Sequence, residues 1–582
     1  MKLSGEIPRE LGQLSLLRTV SMQANNIHGS IPTEVCKMSS LEALALNSNA
    51  ISGTVPSCLN QNVKLRELYL TYNNIRGNVP QQLCSLTNLQ VVSSGFNKLS
   101  GSLPGCLGNL PRLKQLRIQQ NTLSGTLPTS LCNIESLDLL SLGWNSLTGT
   151  IPTCFGGMSA LQRLYLHTNE FRGEIPEELC NTKHLTVFDA GFNVLTGTIP
   201  ACLGTRDLTL LSLGENSLTG SIPPQLADAS NLGVLLVDDN LLSGDPTSTL
   251  TKLTNLKQLY VNGNNFDGEI NDSFLRNSTL LDFADFSDNK FTSPDGFPSH
   301  LIELKTLNVL DFSNNRLAGK LPDDFSPSGV LNVLSLFNNQ LTGTFPRMIR
   351  RLSNLLHLDV SDNLFTGELP SDIGEMSMLE VLFLSKNNFD AGTIPSSFSG
   401  LRRLKELSLR GTNRTGTLPR FISEYVNLDL LDLGSNGITG TIPSSYSSLG
   451  SLTYFLLNDN DLEGTVPASL SQLTDLRAVY LDGTTLSGDL EQLCTIPIFA
   501  DNTKTTGERI IADCVDGSVA KEISCSCCLC CTAGKTGGCS EPKLNNLEIM
   551  WENSFRRQSH EIDFGGEEAT VEVEPSIDIQ PE

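Results

Sequence analysis

The chain has 582 residues, of which 40 are lysine or arginine and 63 are aspartate or glutamate, so its formal net charge is −23. This balance argues against a nucleic-acid surface and favours solubility or a cationic partner. No apolar run of roughly 18 residues indicates a transmembrane helix, and the N-terminus lacks the basic segment and apolar run of an export signal.

The first residues complete the second half of a repeated unit, with Leu3, Gly5, Ile7 and Pro8 at the positions that recur later in the chain. Met1 falls where the asparagine of that unit is expected. Terminal repeats need a cap with a polar outer face. We therefore expect a cap, together with an export signal or an anchor, to precede Met1 in a longer product.

An asparagine returns about every 24 residues within the pattern L-x-x-L-x-L-x-x-N-x-L-x-G-x-I-P. This period predicts a leucine-rich repeat fold, an α/β solenoid of about 20 repeats over residues 1–490 that forms a curved superhelix with a concave parallel β-sheet. The first eight members of the series are Asn25, Asn49, Asn73, Asn97, Asn121, Asn145, Asn169 and Asn193.

The residues that recur in each repeat have structural roles. Two leucines one residue apart predict a short strand with an apolar inner face, and the asparagine carboxamide can bridge neighbouring coils as a structural ladder. Gly-x-Ile-Pro turns the chain, and a short helical segment such as 177–181 returns it. Thr412 and Thr484 replace asparagine, and the shorter side chain predicts the weakest ladder near the C-terminal end.

The glycine-proline form of the unit resembles the plant-type leucine-rich repeat of extracellular receptor ectodomains, receptor-like proteins and cell-wall enzyme inhibitors. The residues that carry the resemblance in one unit are Leu161, Leu164, Leu166, Asn169, Phe171, Gly173, Ile175 and Pro176. The resemblance covers about residues 3–490. It implies the fold directly, whereas the ligand differs between proteins that share this scaffold.

Eight of the 16 cysteines lie on the repeats, at intervals that alternate between 22 and 26 residues, as from 36 to 58 and from 58 to 84. Pairing across the shorter interval uses all eight, whereas the shifted scheme leaves the first and last without partners. The pairs that we predict are Cys36 with Cys58, Cys84 with Cys106, Cys132 with Cys154, and Cys180 with Cys202. Disulfides indicate an oxidising compartment. The alternative is eight buried thiols that act as small apolar side chains.

A second cysteine cluster follows the last repeat. Its members are Cys494, Cys514, Cys525, Cys527, Cys528, Cys530, Cys531 and Cys539. We interpret residues 491–543 as a disulfide-stapled C-terminal cap; the alternative is a thiolate zinc site. The cluster resembles the C-x-C-C-x-x-C-C ending of leucine-rich repeat proteins from diatoms. Residues 544–582 are acidic and poor in aromatic residues, and we expect them to be disordered.

No combination of nucleophile, base and metal ligands points to catalysis, so we predict no enzyme activity, no cofactor and no metal. Asp311, Asp359 and Asp432 recur at one strand position. This aspartate is ordinary in plant-type repeats. The alternative is that these aspartates together form an anionic stripe that attracts a cationic ligand.

A ligand is expected on the concave face, where outward strand positions of neighbouring repeats align. In the N-terminal half this face collects aromatic and cationic side chains of the kind enriched at interfaces. These candidates are Tyr69, Tyr72, Phe96, Arg117, Trp144, Tyr165, His167 and Phe192. The alternative is that the rings cover the strand edges and lean on each other.

The leading hypothesis is a non-catalytic extracellular or cell-surface recognition protein that binds a peptide, glycan or protein, with a co-receptor as a further candidate partner. A membrane would be reached only through a segment absent from this chain. Candidate glycosylation sites at Asn271, Asn277 and Asn413 are compatible with secretion. The alternatives are a secreted cell-wall enzyme inhibitor or matrix protein, and an intracellular scaffold with reduced cysteines.

Overall fold

The computed structural model describes residues 2–204, 207–324, 330–496, 509–513, 523–524, 528–531, 562–563 and 570–571. By its backbone contacts the chain divides into two compact units, Met1–Glu406 and Leu407–Glu582. Each unit is a stack of coils in which strands and short helices alternate.

A long parallel sheet runs through the first unit, with one three-residue strand from each coil. Apolar residues occupy the middle of these strands in register, as in Leu140, Leu164 and Phe188, which are fully buried. Successive strand residues point to opposite faces, so these side chains form the core while their neighbours point outward. The strands are Thr19–Ser21, Ala43–Ala45, Glu67–Tyr69, Val91–Ser93, Gln115–Arg117, Leu139–Ser141, Arg163–Tyr165, Val187–Asp189, Leu210–Ser212, Val234–Leu236, Gln258–Tyr260, Phe283–Asp285, Val309–Asp311, Val333–Ser335, His357–Asp359 and Val381–Phe383.

A second set of parallel strands follows the asparagine of most coils. Its glycine has a positive φ, as at Gly149 with φ 87°, where a Cβ would also lie 2.8 Å from the Thr126 methyl carbon. Only glycine fits this position without strain. The strands are Ser4–Glu6, Asn26–Ser30, Ala50–Ser52, Arg76–Asn78, Lys98–Gly101, Thr122–Thr126, Ser146–Gly149, Glu170–Glu174, Val194–Thr196, Thr219–Gly220, Leu241–Gly244, Asn265–Phe266, Ala318–Lys320, Gln340–Thr344 and Leu364–Thr366.

The return segments are mostly 3₁₀ helices that begin after a proline, because proline fixes φ for the first turn. The helix expected at residues 177–181 is confirmed as the 3₁₀ helix Glu177–Asn181. The other 3₁₀ helices of this unit are Arg9–Gln13, Thr33–Lys37, Ser57–Gln61, Gln81–Ser85, Gly105–Asn109, Thr129–Asn133, Thr153–Gly157, Ala201–Leu203, Pro224–Asp228, Arg347–Arg351, Ser371–Glu375 and Ser396–Gly400, and the α-helices are Thr247–Leu250 and Ser299–Ile302.

The second unit repeats this arrangement, and the strand Glu406–Ser408 contains the boundary. Its long-sheet strands are Leu430–Asp432, Tyr454–Leu456, Ala478–Tyr480, Arg509–Asp513 and Cys528–Cys531. Its second strands are Thr415–Thr417, Gly437–Gly440, Asp461–Thr465, Thr485–Asp489 and Ile523–Ser524. Its 3₁₀ helices are Arg420–Glu424, Ser444–Ser448, Ala468–Gln472 and Leu493–Thr495.

Parallel pairing continues past residue 490. Arg509–Asp513 pairs with Ala478–Tyr480, and its central residues 510–512 are buried. Cys494 is disulfide-bonded, and the cap over residues 491–543 stays a prediction because Cys514, Cys525, Cys527 and Cys539 lie outside the described residues.

Most of the predicted disordered tail, 544–582, also lies outside the described residues. The exceptions are Ile562–Asp563 and Thr570–Val571, which pair antiparallel. Among the residues that the structure describes, no helix combines the length and hydropathy of a membrane span.

The asparagine side chains bridge neighbouring coils, as their periodicity predicts. Asn73 Oδ1 accepts a hydrogen bond from Ile51 N–H at 2.9 Å, and its Nδ2 donates to Leu46 O in the preceding coil and Leu70 O in its own, both at 3.0 Å. The same pattern recurs from Asn49 to Asn460, except at Thr412, and Asn25 keeps the bond from Leu3 N–H. The carboxamide therefore satisfies backbone groups that no strand partner reaches.

The threonines of the ladder span less, as expected. Thr484 Oγ1 donates to Leu481 O at 2.7 Å within its own coil, and Thr412 Oγ1 does the same with Leu409 O at 2.6 Å. In the described part of the chain neither hydroxyl bonds to the preceding coil.

The structure contains the four disulfides that the spacing favours: Cys36–Cys58, Cys84–Cys106, Cys132–Cys154 and Cys180–Cys202. Each joins the return segments of adjacent coils across a separation of 22 residues, as at Cys84 and Cys106.

Candidate ligand-binding site

The eight predicted binding residues lie in six successive coils of the first unit, from the strand Glu67–Tyr69 to the turn after Val187–Asp189. They belong to the side of the long sheet that points away from the core, which we call the outer face. With strands about 4.8 Å apart, these coils span roughly 24 Å. The sequence therefore predicted a contiguous set of side chains.

Four of the aromatic residues share the left-handed backbone conformation that the residue before the ladder asparagine adopts in most described coils. Tyr72, Phe96, Trp144 and Phe192 directly precede the ladder asparagine, and their φ angles are 56°, 52°, 54° and 53°. Bulky L-residues rarely adopt this left-handed conformation, which costs roughly 1–2 kcal/mol per residue. Sequence reasoning missed it, because only asparagine, aspartate and glycine indicate positive φ by type.

The rings partly lean on each other. Tyr72 stacks on Phe96 with centroids 4.1 Å apart, and Trp144 meets His167 edge-on at 6.5 Å. Tyr72 nevertheless keeps 36% of its surface exposed, and Phe96, Trp144 and Phe192 are half-buried. The rings therefore do pack against each other, as the alternative interpretation expects. Part of their surface nevertheless remains accessible to solvent.

His167 is placed differently from its neighbours. It is only 8% exposed, and its ring lies so close to Gly143 that a Cβ there would clash with Nε2. Its Nδ1 lies 3.3 Å from Thr168 Oγ1, and its Nε2 lies 3.9 Å from Asp189 Oδ2. His167 therefore supports the Trp144 ring from a buried position, and its role in ligand binding stays a prediction.

Tyr69, Arg117 and Tyr165 occupy one strand position in alternate coils, with Ser93 and Ser141 between them. Burial, followed by the Glu67 charge, raises the pKa of Tyr69, so the phenol stays protonated and can donate a hydrogen bond. Arg117 Nε is buried and has no hydrogen-bond partner in the described residues. The Tyr69 phenol of this row can therefore donate to an acceptor group of a ligand.

The recurring aspartates are structural. Asp311, Asp359 and Asp432 are buried, and each Oδ1 accepts a hydrogen bond from the backbone N–H two residues later, at 2.7, 2.8 and 3.1 Å. These bonds fix the turn after the strand. The ordinary interpretation therefore holds, and these three residues do not form an exposed anionic stripe.

The glycosylation candidates Asn271, Asn277 and Asn413 are exposed. Asn271 Oδ1 accepts a hydrogen bond from Ser273 N–H at 2.9 Å. Modification at these three positions stays a prediction. Among the described residues, no group of three histidine, cysteine, aspartate or glutamate side chains is arranged to hold a metal ion.

Parallel strands in register, an asparagine ladder and an outer face lined with aromatic side chains together define a leucine-rich repeat solenoid. The family model described as Leucine Rich Repeat matches residues 64–86, 112–134, 136–158, 160–182, 306–327, 354–376, 378–401 and 427–449. No curated protein matches the chain.

Solved structures extend this likeness to plant receptors. The plant peptide hormone receptor RGFR1, in complex with RGF2, is 31% identical with a TM-score of 0.75, over 86% of this chain and 87% of that chain. The Arabidopsis receptor kinase HAESA, in complex with the peptide hormone IDA and the co-receptor SERK1, is 30% identical with a TM-score of 0.73, over 89% and 90%. A TDR receptor is 28% identical with a TM-score of 0.75, over 88% and 87%. The chain belongs to the leucine-rich repeat family, in its plant receptor ectodomain type.

Proposed function

We propose that the chain is a non-catalytic recognition protein that binds a peptide, glycan or protein ligand on the outer face of its first unit. One observation carries this proposal. Tyr72, Phe96, Trp144 and Phe192 hold a left-handed backbone position at which asparagine or glycine would fit with less strain. Most coils have this conformation, as at Ala24 and Thr168, but these four coils place large, partly open rings there. Such rings are enriched at binding surfaces.

A neighbouring donor complements these rings. Tyr69 offers a protonated phenol close to the Arg117 charge, so the surface combines apolar area with a hydrogen-bond donor. An extended peptide presents backbone carbonyls and side chains alternately, and it would use both kinds of group. A peptide is therefore the ligand class that we favour within this proposal.

The solved relatives support the same class of ligand. RGFR1 and HAESA are described in complex with peptide hormones, and HAESA also with a co-receptor. We extend a peptide ligand and a co-receptor to this chain as proposals. An extracellular or cell-surface location is supported by the four disulfides, because such bonds persist in oxidising compartments.

The test begins with the full chain probed against arrays of synthetic plant-type secreted peptides and of cell-wall oligosaccharides. For each binder, affinity is measured again with the double variant Trp144→Ala and Tyr165→Ala. We expect a loss of roughly a thousandfold or more, since two aromatic anchors that each contribute about 2 kcal/mol or more are truncated together.

The matched control is Phe421→Ala, which removes a half-buried ring from the 3₁₀ helix Arg420–Glu424 of the second unit. This variant should bind like the unmodified chain. Circular dichroism verifies that all variants are folded. Affinity that survives the loss of Trp144 and Tyr165 would refute the proposed surface.

A further inference from the structure

In the two coils after Phe192, the left-handed position before the ladder asparagine carries acidic instead of aromatic residues. Glu215 and Asp239 occupy the same left-handed position as Trp144, with φ 53° and 46°, and both are exposed. Asp238 precedes Asp239 on the same coil. Three carboxylates from two neighbouring coils therefore share one small area of this face.

Asp238 is the most constrained of these carboxylates. Its side chain lies against the preceding coil, where a Cβ on Gly214 would clash with Oδ1 and lie 2.8 Å from Cγ. Among the described residues, no lysine or arginine forms an ion pair with Asp238. Burial, with the charges of Asp239 and Glu215, raises the pKa of Asp238 well above its ordinary value. The carboxyl therefore sits among like charges with no cation to balance them.

Asn262 adds an unsatisfied acceptor at this place. It occupies the position of Asp238 one coil later, and its backbone O accepts a hydrogen bond from Asp239 N–H at 2.9 Å. Asn262 is only 7% exposed, and its buried Oδ1 has no hydrogen-bond partner in the described residues.

Asp239 places its carboxylate against the coil that contains Asn262. A Cβ on Gly263, the residue that follows Asn262, would clash with Asp239 Oδ1. Asn262 thus lies in the coil against which the Asp239 carboxylate packs, in register with Asp238. A buried acceptor without a donor is costly, so a bound donor would stabilise this arrangement.

We propose that Glu215, Asp238, Asp239 and Asn262 form a subsite, the acidic recess, for a guanidinium or ammonium group of the peptide that binds the outer face. This inference rests on the proposed function. All four side chains offer acceptor oxygens, and a guanidinium supplies several N–H donors together with a permanent charge.

An organic cation fits the recess better than a metal ion. Ca²⁺ needs six to eight oxygens at about 2.3–2.6 Å. The described carboxylates include no group of three that is arranged around such a point. A guanidinium reaches acceptors that lie further apart, because its donors are spread over a planar fork.

The position of the recess also predicts the spacing of ligand groups. Four strand steps separate Leu139–Ser141, next to Trp144, from Val234–Leu236, next to Asp238, which is roughly 19 Å. An extended chain covers about 3.3 Å per residue. The basic residue of the peptide should therefore lie about six residues from the group that contacts Trp144.

The test uses the full chain and a dye-labelled tri-arginine peptide at physiological salt, with binding read from fluorescence anisotropy. A tri-citrulline peptide has the same shape without the charge. We expect binding of tri-arginine alone. The pair Asp238→Asn and Asp239→Asn should lower its affinity roughly tenfold, as for the loss of a charge-assisted hydrogen bond.

The control pair Glu177→Gln and Glu178→Gln removes the same charge from exposed positions of the 3₁₀ helix Glu177–Asn181. It should change affinity less than about twofold, because screening weakens distant exposed charges. Asn262→Ala leaves the net charge unchanged and should weaken binding about threefold, as for a lost neutral hydrogen bond. Equal losses in the acidic-recess pair and the control pair would overturn the proposal, since net charge alone would then explain binding.

Two further outcomes would also overturn it. Tri-citrulline binding as well as tri-arginine would show that no cation is recognised. Displacement of tri-arginine by Ca²⁺, but not by Mg²⁺, would assign the recess to a metal ion. The variant with Trp144→Ala and Tyr165→Ala should still bind tri-arginine, so failure of the aromatic surface and failure of the acidic recess give different results.

Discussion

Arg410 Nε donates a hydrogen bond to Asp432 Oδ2 at 2.9 Å on the outer face of the second unit, and the two residues are only 5% and 3% exposed. The same guanidinium donates to Asn458 Oδ1 at 2.8 Å and to Ser435 Oγ at 3.2 Å. Gly434 leaves the space that the guanidinium fills, since a Cβ there would clash with it. The guanidinium of this buried charge pair thus also donates hydrogen bonds to Ser435, in the coil of Asp432, and to Asn458, one coil further on.

Removing one partner should therefore be costly. Asp432→Asn leaves a buried arginine without its counter-charge, and we expect a loss of about 3–5 kcal/mol in local stability. Hydrogen exchange of the strand Leu430–Asp432 measures this loss, because local opening is resolved in repeat proteins. Asp475→Asn, at an exposed position, is the control and should leave exchange unchanged. Equal effects of the two substitutions would contradict the assignment.

The shortened ladder at Thr484 predicts a stabilising substitution. Asparagine at the corresponding place in the preceding coil bonds to Ile438 N–H through Oδ1, whereas Thr484 bonds only within its own coil. Thr484→Asn should let Oδ1 accept from Leu462 N–H and raise the stability of this part of the second unit by about 1 kcal/mol. Slower hydrogen exchange at Leu462 is the expected signature. Unchanged or faster exchange would show that the coil spacing does not admit the longer side chain.

The sequence predicted the features that depend on a residue type with a single structural role. Asparagine at a fixed period predicts the ladder, and two cysteines on facing sides of adjacent returns predict a disulfide. It did not predict the left-handed backbone at Trp144, because tryptophan has no preference for that conformation. Nor did it predict the burial of His167, which depends on Gly143 in another coil. The acidic recess was missed for the same reason, since Asn262 resembles an ordinary outward residue until its burial is known.

Stability of the first unit should depend on pH through His357. Burial lowers the pKa of His357 from its ordinary value of 6.5 to about 4. The folded state therefore binds fewer protons than the unfolded state between these values, and stability present above pH 6.5 is lost as the pH falls towards 4. The shift corresponds to about 3 kcal/mol.

The measurement compares unfolding free energies at pH 7 and pH 4 for the unmodified chain and for His357→Leu. The variant should lack about 3 kcal/mol of the pH dependence. His184→Leu, at an exposed side chain, serves as the control and should keep the full dependence. An identical pH profile for all three proteins would show that His357 is not buried in its neutral form.

The disulfides should stabilise the coils that they join. Cys84→Ser with Cys106→Ser opens a link across 22 residues, and loop-entropy estimates predict a loss of about 3 kcal/mol. Calorimetry of the variant gives the change in melting temperature. Mass spectrometry after alkylation, with and without reductant, verifies which cysteines are paired. Full alkylation of all eight repeat cysteines without reductant would contradict the bonded state.

Relieving the backbone strain at the left-handed positions should affect the free energy of unfolding and the ligand affinity differently. Gln120 shares the left-handed conformation, with φ 50°, and its side chain is exposed. Gln120→Asn should therefore stabilise the first unit by about 1 kcal/mol, since asparagine tolerates this conformation better.

Trp144→Asn relieves the same strain but removes the ring that packs against His167. The two effects should nearly offset each other in the free energy of unfolding, whereas ligand affinity should fall strongly. Denaturant titration and the array binders give the two quantities. If Trp144→Asn instead loses several kcal/mol of stability and keeps its affinity, the ring serves packing, and the strain at this position has a structural rather than a recognition origin. Tryptophan at a strained, half-open position is explained by recognition only when its removal affects binding more than folding.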